Sequence, residues 1–143
     1  MDWSVYYLEQ DGLVFAKTSG LINWDKNKRL SEEALSIGRK YGTNRFLIDH
    51  RDGMLNLSIL EIDDIPKMFR EIGVGPKDKI AILYKPDSSH SSEFVFFQNV
   101  SLLSLLQVKV FADKEQALAW LKSNSLVDSR PQMKTKKLIT CPN

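Results

Sequence analysis

The chain has 143 residues, 43% hydrophobic and 27% charged, an ordinary composition for one globular domain with one core. Its formal charge of +2 is too small to imply a nucleic-acid or acidic-membrane partner. A single cysteine, Cys141, excludes an internal disulfide and a cysteine-based metal site, and reads as a bystander thiol.

The opening MDWSVYYLEQDG has no basic region followed by an apolar stretch, so no secretory signal is expected. Ser4–Glu9 and Leu13–Ser19 are rich in Val, Tyr and Phe, and Gln10-Asp11-Gly12 separates them. That spacing predicts a β-hairpin with glycine at the positive-φ position. From Trp24 to Tyr41 the period changes: Leu30, Ala34, Ile37 and Tyr41 recur at helical spacing, Asn23 suits the N-cap and Gly42 the C-terminal stop. A short apolar strand, Arg45–Asp49, follows. Its end on Asp49, His50, Arg51 and Asp52 reads as a chain leaving the sheet for solvent.

Ser58-Ile59-Leu60-Glu61 fits the S-x-x-E capping box, with Leu57 and Ile62 placed as a hydrophobic staple. Pro66 falls inside the run Ile62, Ile65, Phe69, Ile72, which predicts a kink or a break into two short helices. Gly73–Asp78 is a turn, and Lys79–Tyr84 a strand buried on both faces. Residues 91–107 form a helix with apolar residues nearly all round. EFVFFQNVSLLSLLQVKVF is interrupted by Gln, Asn, Ser and Lys, so no membrane span is expected there. Val108–Phe111 is a last short strand, and a helix capped by Asp113 closes the fold with Ala117, Trp120 and Leu121 inward. SLVDSRPQMKTKKLITCPN is polar, basic and aperiodic, so residues 123–143 read as a disordered tail after one domain, 1–122.

The order β-β-α-β-α-β-α-β-α predicts an α/β fold. After an opening hairpin, a mostly parallel five-stranded sheet packs against about four helices. Right-handed crossovers would gather the loops after Asp49, Tyr84 and Phe111 along one edge, where such folds present their sites.

With FLIDHRD, KIAILY and VKVFADKEQALAWL in sequence, residues 3–122 resemble the SpoIIAA-like branch of the STAS superfamily, sulfate transporter and anti-sigma antagonist domains. The resemblance implies a regulatory or protein-interaction module, and related folds of the Sec14 type carry lipid. In anti-sigma antagonists a serine opening the helix after this strand is phosphorylated, usually in an Asp-Ser-Ser-Gly-like context. The matching position here is Ser58, a candidate regulatory phosphosite, but its neighbours are Asn56, Leu57 and Ile59. The capping box accounts for Ser58 by itself.

Among the remaining candidates, Asp49, His50, Arg51 and Asp52 are either a salt-bridged strand end or partner and ligand contacts. A phosphoreceiver site would need further carboxylates at the end of the first strand, which offers only Glu9. His50 and His90 have no metal-ligand spacing, no G-x-S-x-G elbow exists, and Gly73-Val74-Gly75-Pro76 runs from helix to strand, the wrong direction for a phosphate loop. No catalytic group, metal or cofactor is expected. The surplus apolar face of helix 91–107, with Phe94, Phe96 and Phe97, either is buried, meets a second copy or another protein, or lines a groove for an apolar molecule. The sequence therefore points first to a non-catalytic STAS-type regulatory or interaction module in the cytoplasm. The alternative is a carrier or sensor of a small apolar, lipid-like ligand beside helix 91–107.

Overall fold

The computed structural model describes residues 3–86 and 91–123; His90 and the tail with Cys141 lie outside the described residues. The described residues form, in chain order, β1 (Trp3–Leu8), β2 (Leu13–Ile22), α1 (Trp24–Tyr41), β3 (Arg45–Leu55), α2 (Ile59–Ile72), β4 (Lys79–Leu83), α3 (Ser91–Leu103), β5 (Gln107–Phe111) and α4 (Lys114–Lys122). The strands lie in the sheet in sequence order, with β1 antiparallel to β2 and every later pair parallel. Gly12, at φ 64°, supplies the left-handed turn of the hairpin.

Because β2 to β5 advance in one direction, right-handed crossovers place α1, α2 and α3 on the same face. That face and the three helices share one core, which includes Ala16, Leu30, Ile48, Ile65, Ile82 and Phe97. The opposite face, with Phe15, Leu47 and Leu83, is covered by Ala117, Trp120 and Leu121 of α4. Lys79 fixes α4 there: its buried ammonium donates to the Trp120 carbonyl at 2.7 Å and to Ser123 Oγ at 2.7 Å, at the negative end of the helix.

Three expectations change. β3 does not stop at Asp49 but continues to Leu55, because β2 also runs on to Ile22 and pairs with it over Ser19–Asp52 through Ile22–Leu55. The charged cluster therefore lies in mid-strand, and the site-bearing edge begins after Leu55. Pro66 does not divide its helix: α2 is continuous, and the one hydrogen bond that proline removes is offset by a fully buried ring. α3 ends at Leu103, short of 107, where the chain turns through Leu105 at φ 64°. At the end of α1, Tyr41 is half exposed and stacks on Tyr7 at 4.4 Å.

Candidate functional site

Opposite the step from Lys17 to Ser19, β3 advances from Asp49 to Asp52, so β3 carries one extra residue, a bulge at His50 and Arg51. Alternation around this point divides the charged cluster between the two sheet faces. Asp49 lies on the α4 side, 2% exposed, and accepts hydrogen bonds from Arg51 Nε at 3.0 Å and Nη2 at 2.9 Å. Lys17 stands 3.6 Å from Asp49 and 2.9 Å from Asp52. Burial alone would push the Asp49 carboxyl up. The hydrogen bonds from Arg51, with the charges of Arg51 and Lys17, outweigh it and hold the group below the usual carboxylate range. Asp49 is satisfied within this ionic network, while the Lys17, Arg51 and Asp52 side chains remain partly exposed.

His50 faces the other way. Its Nδ1 is 2.7 Å from Thr18 Oγ, and burial lowers its pKa to about 4, so the ring is neutral at physiological pH. Thr18 is 1% exposed and its hydroxyl is held by the ring and by the Asp49 carbonyl, so the pair is not an accessible nucleophile and base.

The ring borders a cavity of about 50 Å³ between the sheet and α1, α2 and α3. Its walls are mostly apolar, including Leu30, Phe46, Ile65, Phe94 and Phe97, while Asn27, Ser31 and His50 are its polar lining. Phe94 lies 5.8 Å from the His50 ring and 5.6 Å from that of Tyr84, and Phe97 meets Phe69 edge-on at 5.8 Å. The structure thus brings together His50, Phe94 and Phe97 of the sequence candidates. Phe96 is only partly buried, at the margin of the same core.

Asn27 and Thr18 were not legible as site residues. Asn27 had a readable signal, a polar residue three before Leu30 and seven before Ala34, in phase with the apolar stripe of α1. Thr18 had none, since its role depends on the bulge across from it.

Ser58 is not part of the cavity lining. Its Oγ accepts from Glu61 N at 3.1 Å, Glu61 Oε1 accepts from Ser58 N at 2.9 Å, and the capping box is complete. Ser58→Ala should lower stability by about 1 kcal/mol in urea unfolding, and Ser58→Asp should keep most of it, since Asp also caps and suits the helix dipole. Equal losses in both variants would contradict a capping role.

Among the described residues no group of His, Cys, Asp and Glu could hold a metal ion, and no helix is long and apolar enough to cross a membrane. No protein-family model matches the chain, and no curated protein matches it. Among solved structures it is similar to an uncharacterised protein of the DUF3478 family with a SpoIIAA-like fold from Shewanella loihica PV-4. The identity is 22%, the match covers 83% of this chain and 91% of that one, and the TM-score is 0.52. The hairpin leading into parallel strands in sequence order, with three helices on one face and one on the other, is the SpoIIAA-like fold, and this chain adopts it.

Proposed function

We propose that the chain is a non-catalytic STAS-type module that carries or senses a small apolar molecule in the cavity between the sheet and α1–α3. The cavity carries this reading, because it is a shaped apolar space bordered by a neutral, buried imidazole. At rest the space suits a group of a few heavy atoms, well short of a whole lipid chain. One added methyl group or two would fill much of the space, and Ala34, 4% exposed on the cavity wall, is the place to add them.

Solvent extraction of the purified protein, followed by gas chromatography with mass detection, should recover a small apolar molecule near stoichiometry. Ala34→Val should lose it while stability changes by less than about 1 kcal/mol. An extract without such a molecule, from protein that still folds, would oppose the carrier role.

A specific observation favours a second reading, a protein-interaction surface. Leu102, Leu103 and Leu105 are 56%, 84% and 83% exposed where α3 turns into β5, at the edge of the sheet away from the β3–α2 loop. Leu105 also holds a left-handed φ of 64°, which leucine adopts at a cost that glycine would avoid. In this reading the protein self-associates through that corner. Wild type should sediment as a dimer and Leu103→Glu as a monomer. Leu105→Gly should gain up to about 1 kcal/mol of stability while weakening association. A wild type that stays monomeric at high concentration would remove the second reading and leave the first in place.

A further inference from the structure

Two polar side chains on the cavity wall have hydrogen-bonding capacity that the described residues do not use. His50 is 5% exposed and Asn27 8%. Among the described residues, His50 bonds only through Nδ1; Nε2 and the Asn27 side-chain amide have no hydrogen bond, and both residues line the cavity. Neither is a sealed, unsatisfied atom of the kind that Ser101 Oγ and Trp120 Nε1 are, so each unmet bond is one that an occupant of the cavity can supply. Asn27 stands in the first turns of α1 and His50 on β3, and both line the same cavity. The rest of the wall is largely hydrocarbon.

We infer that the cavity takes a small neutral molecule with a hydroxyl head, its head hydrogen-bonded at His50 Nε2 and Asn27 and its carbon body against Phe94 and Phe97. This rests on the ligand-binding reading above and adds the chemistry of the ligand. A hydroxyl both donates and accepts, so it satisfies the imidazole in either tautomer and either end of the amide. A carboxylate head would be desolvated in an apolar space beside a neutral ring, with the nearby Lys26 ammonium already engaged by the Ser19 and Leu21 carbonyls, which is costly. A wholly apolar ligand would leave both polar groups unmet.

The test uses the full chain with three probes, 1-propanol, sodium propionate and xenon, followed by NMR of the His50 ring nitrogens and the surrounding methyl groups near neutral pH. The expected result is saturable binding of 1-propanol with a shift at Nε2, and at least tenfold weaker response to propionate. His50→Phe should weaken 1-propanol at least fivefold and leave xenon binding unchanged; Asn27→Ala should weaken 1-propanol in the same direction. Propionate binding as tightly as 1-propanol would overturn the neutral head. Xenon binding with 1-propanol indifferent to His50→Phe would overturn the hydroxyl contact and leave the cavity reading intact. Failure of both xenon and 1-propanol, with only ordered water at the ring, would overturn the cavity reading itself.

Discussion

Lowering the pH from 7 to 4 should cost the protein about 3 kcal/mol of folding stability through His50 alone, from a folded pKa of about 4 against 6.5. Burial sets the direction, because the folded state would have to hold an imidazolium without water. The folded pKa lies below the unfolded one, so between them the unfolded chain binds more protons and stability rises with pH. The contribution is complete above about pH 6.5 and is lost as the pH falls toward 4. Asp49 acts in a different window. Its carboxyl is held below its ordinary 3.8, so its stabilisation is lost only at more acid pH. Urea unfolding at several pH values between 7 and 4, on wild type and His50→Phe, isolates the effect. The variant should show a much flatter dependence; an unchanged slope would mean that the ring is hydrated or charged in the folded state.

Phe97→Ala should be the most destabilising of the substitutions considered, by roughly 3–5 kcal/mol. The ring is 4% exposed, lines the cavity and packs edge-on against Phe69. Removing it joins the space of a phenyl ring to one that is already open, so the neighbours cannot close the gap. Benzene should then bind the variant and restore part of the lost stability in proportion to its concentration, since a ligand that binds only the folded state stabilises it by mass action. Thermal unfolding with and without benzene checks both halves. A loss near 1 kcal/mol without rescue would show that the site collapses and that Phe97 does not shape the cavity.

Much of the fold was legible because its signals are local. The hairpin at Gly12, the caps at Asn23, Ser58 and Asp113, and the left-handed stop at Gly42 each depend on a few neighbouring residues, and each stands where its chemistry predicts. The extent of β3 was not local. Whether Asp49–Asp52 stay in the sheet depends on β2, whose own polar end Lys17–Gly20 offers them backbone partners and a lysine. The site suffered from the same limit. Adjacent residues Asp49 and His50 look like one charged cluster in sequence, but a strand sends them to opposite faces, one to an ionic network and the other to a cavity. The aromatic pair Phe94 and Phe97 was visible as an apolar surplus. That Phe94 and Phe97 enclose a space, while Leu102, Leu103 and Leu105 remain outside, follows from where α3 ends.

The most direct measurement of the central claim is a crystal structure determined under xenon pressure. Xenon needs no hydrogen bond and marks apolar space by itself. The account predicts a well-occupied xenon atom between the sheet and α1–α3, in contact with Phe94 and Phe97 and on the His50 side of β3, and predicts its loss in Ala34→Val. Crystals that take up xenon only elsewhere, or a cavity closed by inward rotation of its side chains, would contradict it.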